Sequence, residues 1–184
     1  MRSEADYEAI RTPVRAALLE KRVLAALRPA LGRRLARVRY SCHAGECEVE
    51  DLGDPDLAFG GELDLAFHGG PRVVVAADES AGWDTTWSIQ AREDSASASG
   101  TLREFDANDL PSWRNVVGRE LELVRVHGKE GVPHVLELRF ENGTVLLADG
   151  EGERVGGGDE LLVRKGRRSG VLAGCAKMAT LKRG

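Results

Sequence analysis

Long apolar runs are missing from this 184-residue chain. No stretch of roughly 18 apolar residues occurs, which excludes a membrane-spanning helix and makes a membrane partner unexpected. The opening residues, MRSEADYEAIRTP, carry acids and lack the apolar core of a secretory leader. Cysteine is scarce: Cys42, Cys47 and Cys175 are odd in number and too few for a disulfide framework, so reduced thiols and a cytoplasmic location are expected. Aromatics make up 5% of the chain, and Trp83, Trp87 and Trp113 carry most of that surface. An excess of one charge is also missing, because 26 basic residues face 30 acidic ones for a net −4. No global field therefore draws the protein to a nucleic acid, which is not expected as a partner. Lysine supplies only five of the 26 basic residues, a bias that fits a GC-rich bacterial genome.

Catalytic signatures are absent as well. GGGD at Gly156 to Asp159 lacks the Lys and Ser or Thr that complete a phosphate-binding loop, and it lacks the strand-to-helix setting of a dinucleotide site. The serines of SASASG have no neighbouring histidine and no nucleophile elbow. No cofactor is expected, and catalysis is not the first reading.

What is present is periodicity. A hydrophobic content of 42% suits one compact domain over residues 1–184. Within residues 1–30, Ile10, Val14, Ala17, Leu18, Val23, Leu24 and Leu27 recur at helical spacings, predicting an amphipathic helix from Ser3 to Leu27 that Pro29 stops. Two similar β segments follow, over 31–90 and 117–164. LGRRLARVRY from Leu31 lies over VGRELELVRV from Val117, matching Gly32 with Gly118, Leu35 with Leu121, Val38 with Val124 and Arg39 with Arg125. LDLAF at Leu63 to Phe67 matches LELRF at Leu136 to Phe140. VVVAAD from Val73 is set over TVLLAD from Thr144, with one more residue in the first turn, and GWDTTWSI from Gly82 over GGDELLVR from Gly157. A period of about 70 to 86 residues in two copies is read as a tandem duplication rather than a solenoid.

The expected fold is α+β and mainly β: two duplicated units of three or four strands, as an antiparallel sheet, sandwich or partly open barrel, behind an N-terminal helix. Leu35 and Leu121 sit an odd step from Val38 and Val124, predicting a β-bulge at one place in both copies. A short helix is expected in DANDLPSWRNVVG within the connection 91–116, and Asn142 with Gly143 is expected to supply positive φ in a tight hairpin. Period-two alternation buries Leu65, Phe67, Leu138, Phe140, Val74 and Leu146 and exposes Glu137 and Arg139. The tail 165–184 is locally basic, with Val171 to Leu181 forming a helix or strand.

Three constellations are candidates for chemistry. Cys42, His43 and Cys47 in SCHAGEC are the weak metal candidates, but C-x4-C without a second pair falls short of a zinc site, and His127 and His134 belong to another loop. Carboxylates gather after the third strands: Asp78, Glu79 and Asp84 in one copy, and Asp149, Glu151, Glu153, Asp159 and Glu160 in the other. DGEGE resembles a calcium loop superficially, yet Arg154 stands where an EF-hand requires Gly. A solvated acidic surface is the simpler reading, with Trp83 beside Asp84 as the aromatic candidate for a contact.

The run of Trp113, VGRELELVRV, LELRFENGTVLLAD and GGDELLVR, spanning Trp113 to Arg164, resembles small uncharacterised bacterial immunity-like proteins, some of which lie near polymorphic toxins. The resemblance implies a binding role and transfers no functional residue. The expected function is thus non-enzymatic: a protein-binding module, an immunity or inhibitor protein, that masks a basic partner such as a toxin with Trp83, Asp84, Glu151, Glu153, Asp159 and Glu160. The alternative is a small-molecule-binding protein or enzyme with its site between the two β units, using Asp84 and Asp159.

Overall fold

The computed structural model describes residues 21–43, 58–79, 87–93, 102–129, 132–149, 160–166, 172 and 174–183. A helix covers residues 21–27 and tightens into a 3-10 turn at Arg28–Ala30, where Pro29 removes a backbone donor. Of the expected stripe, Val23 and Leu27 are buried and Leu24 is half-buried, with Ala26 and Ala30 buried beside them, while the expected helix from Ser3 with Ile10, Val14, Ala17 and Leu18 lies outside the described residues. Ten strands follow among the described residues. Unit one comprises β1 (Leu35–His43), β2 (Ala58–Phe67), β3 (Arg72–Glu79), β4 (Trp87–Glu93) and β5 (Leu102–Asp106). Unit two comprises β6 (Leu121–Lys129), β7 (Val132–Phe140), β8 (Gly143–Asp149), β9 (Glu160–Lys165) and β10 (Ala176–Lys182).

The units share one topology. In each, the first four strands form an antiparallel meander and the fifth returns to pair with the free side of the first, giving the orders β5-β1-β2-β3-β4 and β10-β6-β7-β8-β9. The duplication therefore spans five strands, one or two more than the sequence match revealed. The bulge falls between Leu35 and Arg37 in β1 and between Leu121 and Leu123 in β6, as predicted. Phe67 lies opposite Leu35, and Phe140 opposite Leu121.

The units meet across a pseudo-twofold seam. Gly32 N–H donates to Leu121 O at 2.8 Å and Gly118 N–H to Leu35 O at 2.7 Å. Leu35 N–H donates to Arg119 O and Leu121 N–H to Arg33 O, both at 3.0 Å, around an isolated bridge between Arg34 and Glu120. Gly32 and Gly118 have φ of 73° and 80°, a left-handed conformation that strains other L-residues and turns the chain into the seam here. A second link joins the sheets where Ala58 to Gly60 of β2 pair with β9. At Gly61 a Cβ would lie 2.3 Å from Ser41 O, so only glycine lets β2 pass beside β1 there.

Side chains from both units fill one buried cluster. Leu35, Val38, Tyr40, Leu63, Leu65, Phe67, Val73 and Val75 belong to it, and so do Leu121, Val124, Val126, Leu136, Leu138, Phe140, Val145 and Leu147, their counterparts in register. Trp113 breaks the symmetry. It projects into the cluster from the segment before β6, and its indole N–H donates to the Tyr40 hydroxyl at 2.7 Å. Val126, at the matching place in unit two, needs no such partner.

Several sequence expectations change. The strand registers place Arg72 with Thr144 and Val74 with Leu146, so the third-strand match is displaced by one residue; Ala91 lies with Val163, so the fourth-strand match is displaced by three. Similar apolar runs match in sequence at several offsets, whereas hydrogen-bond register admits one. The DANDLPSWRNVVG segment forms successive turns instead of a helix, closed at both i−3 and i−4 around Leu110 and Trp113. So short a segment gains little from helical cooperativity, and seating the Trp113 side chain decides its path. Phe140 pairs directly with Gly143, so Glu141 and Asn142 make the turn, and Gly143 does not have positive φ. Cys42 is disulfide-bonded, which corrects the expectation of reduced thiols and removes the Cys42 thiolate from any metal set. Counting cysteines cannot show which sulfurs the strands bring within bonding distance.

Two outcomes test this packing. Burial pushes the Tyr40 phenol well above its ordinary value near 10, only partly offset by the Trp113 hydrogen bond. The stability that follows is fully present below pH 10 and falls as pH rises above it, by up to about 1.4 kcal/mol per pH unit. Tyr40→Phe should abolish that slope in alkaline denaturant melts and cost ~1–3 kcal/mol at neutral pH, because the indole N–H loses its acceptor. At the seam, Gly118→Ala meets nothing within 4 Å and should cost only the backbone term, ~1–2 kcal/mol, with Gly118→Asn milder in the same melts.

Candidate functional site

The outer faces of the sheets carry buried carboxylates at equivalent positions. On unit one, Arg39 of β1 lies opposite Asp64 of β2; on unit two, Arg125 of β6 lies opposite Glu137 of β7. Asp64 accepts from Arg72 Nε at 2.8 Å and faces Arg39 Nε at 3.6 Å. Glu137 accepts from Arg125 Nη1 at 3.1 Å, and His127 Nε2 lies 3.0 Å from its other oxygen. Glu137 is 1% exposed, against the expectation that it faces water. Alternation did place it on the side opposite Leu136 and Leu138, but that side is covered too: Val135, Leu146 and Ala148 form a small apolar cluster under Leu172 and Cys175. A charge in such a place persists only when paired and hydrogen-bonded. Val74 and Leu146 are buried as expected, on these outer faces.

Beside Glu137 the outer face of unit two opens into a groove of about 610 Å³. Leu123 and Arg125 form its floor. One rim is β10, whose Lys177, Thr180 and Lys182 lie in register with His127, Arg125 and Leu123. The other rim alternates charge, with Glu122 accepting from Arg139 Nε at 3.3 Å, and Arg183 closes the end by pairing with Glu120. Arg139 is exposed, as expected. Among the described residues no ion pair involves Lys177 or Lys182, and both are exposed.

Arg125 and His127 engage both oxygens of Glu137, which fixes the carboxylate as an internal counter-ion beneath the groove. Among the described residues no group of three or more metal-binding side chains occurs. No family model, curated protein or solved structure matches the chain. The site is therefore read from its geometry.

Of the residues singled out in the sequence, Cys47, Trp83, Asp84, Glu151, Glu153 and Asp159 lie outside the described residues, and Glu160 is placed only as the first residue of β9, with its side chain outside them. His43 ends β1, its side chain likewise outside. His127 and His134 are on β6 and β7 and are buried, instead of sitting in one loop. The space between the units, where the small-molecule alternative would put its site, holds the shared apolar cluster. Sequence reasoning missed Arg125, Glu137 and the rim of β10. The signal was present in the repeat itself, since Arg39 matches Arg125 while Asp64 matches Glu137, a charge pair recurring on adjacent strands.

Burial separates two ion pairs in a measurable way. Glu137→Gln should cost ~1–3 kcal/mol in denaturant melts, because Arg125, 23% accessible from the groove, loses its counter-ion and a charge-assisted hydrogen bond. Arg139→Gln, which breaks an exposed pair whose side chains are 49% and 43% accessible, should cost under ~1 kcal/mol.

Proposed function

We propose that this chain is a non-enzymatic protein-binding module, of the kind an immunity or inhibitor protein represents, and that it holds its partner in the groove over β6, β7 and β10. The observation carrying this reading is the groove itself: charged rims of both signs on a sheet that Arg125, His127 and Glu137 brace from beneath. Rigid support of this type keeps contact residues in place before binding, which limits the entropy lost on association. Charge of both signs selects a partner by complementarity more than by bulk attraction. The acidic residues Glu151, Glu153 and Glu160 act in this reading on the rate of encounter with a basic partner, through a screened field.

The test uses a partner captured by the full chain, identified by mass spectrometry and then purified. Thr180→Trp, which fills the groove, should weaken its binding at least about tenfold, the scale of a contact near the centre of an interface. Reversal of Glu151, Glu153 and Glu160 to Lys should slow association and flatten its salt dependence while leaving dissociation nearly unchanged. Affinity indifferent to Thr180→Trp removes the groove from the mechanism.

A further inference from the structure

The strand β10 ends the order β10-β6-β7-β8-β9, and among the described residues its only sheet partner is β6. Its inward residues Met178 and Leu181 pack against the core, while Lys177, Thr180 and Lys182 are exposed and share the groove's side of the sheet. An edge strand carries unpaired backbone donors and acceptors that can accept another strand. Here that edge is bordered by two lysines with no ion-pair partner among the described residues. We propose that β10 binds an extended acidic segment of the partner protein by strand addition, with carboxylates from the added strand reaching Lys177 and Lys182.

The inference rests on the protein-binding reading and names the chemistry of the bound segment. Two features support it over other occupants. A second copy of β10 laid against this edge would bring lysines toward lysines, and like charges on neighbouring strands repel. The same lysines favour a strand whose alternate residues are acidic, so one pair of side chains blocks self-association and selects the partner. Lys177 and Lys182 pair with His127 and Leu123, four steps apart on β6, because a bulge after Lys177 brings both lysines to one face; that separation, roughly 13 Å along a strand, suits carboxylates at alternate positions of an extended chain. Arg125 and Arg183 are already paired with Glu137 and Glu120, leaving the lysines as the cations available for capture. A partner that is basic overall can still offer one such segment.

The experiment uses the full chain and three fluorescein-labelled peptides of about ten residues: alternating Thr and Glu, alternating Thr and Lys, and the Thr-Glu peptide with alternate backbone amides N-methylated. Anisotropy at low salt should show binding of the Thr-Glu peptide, weakened about tenfold or more by N-methylation, because charge is retained while ladder hydrogen bonds are lost. The double variant Lys177→Glu and Lys182→Glu should lose the Thr-Glu peptide about tenfold and gain the Thr-Lys peptide. Both positions are exposed, so the fold should persist in circular dichroism, and Lys177→Gln with Lys182→Gln should show the loss without the gain. Equal binding of the N-methylated peptide, or equal capture of inorganic polyphosphate by the lysines, overturns strand addition in favour of a simple polyanion patch. No binding of the Thr-Glu peptide also overturns it. Neither result touches the Thr180→Trp test with the purified partner, so the two proposals fail separately.

Discussion

Four backbone hydrogen bonds between residues 32–35 and 118–121 organise the molecule. They join equivalent residues of the two units in reciprocal pairs, Gly32 with Leu121 and Gly118 with Leu35. The left-handed glycines before each first strand are the covalent requirement for that seam, because the chain must reverse sharply and then pair. With the seam in place, equivalent apolar side chains of both units enter one interior, so neither sheet has to bury its face alone. Two sheets of five strands, each too small to exclude water from its own inner face, thus share a single core.

Matched units need not have matched outer faces. Glu137 and Asp64 occupy equivalent positions, yet Glu137 has His127 as a second partner and Asp64 has Arg72. Arg72 comes from the third strand, where unit two has Thr144, and His127 comes from the first strand. This divergence leaves unit two with a buried pair beneath its groove. A buried pair of this kind stabilises little relative to an apolar replacement, but it holds Arg125 in one orientation on the groove floor. The outer face of unit two can therefore be specialised for contact while the interior remains common to both.

How much was legible in the residues varied with the kind of information needed. Gly32 with Gly118, the bulges after Leu35 and Leu121, and the buried phenylalanines could be read directly, because each follows from local geometry repeated twice. The burial of Glu137 could not. Alternation correctly assigned it to the face opposite Leu138, but whether that face meets water depends on Leu172 and Cys175, more than thirty residues away in sequence. The offsets of the third and fourth strands failed for a related reason: runs such as VVVAAD and TVLLAD slide over one another with little loss of similarity, and only hydrogen bonding distinguishes the positions.

From the sequence alone came the mainly β class, the duplication, the helical stripe facing the core and the locally basic tail, all of them properties of periodicity and composition within short windows. Tertiary structure decided that the basic tail contributes an edge strand, that Arg125 and Glu137 form a buried pair, and that the open groove lies outside the sheets instead of between them. Those outcomes depend on which surfaces remain after two equivalent units have closed on each other. Closure is set by long-range register and by packing volume, and neither is a property of any one segment.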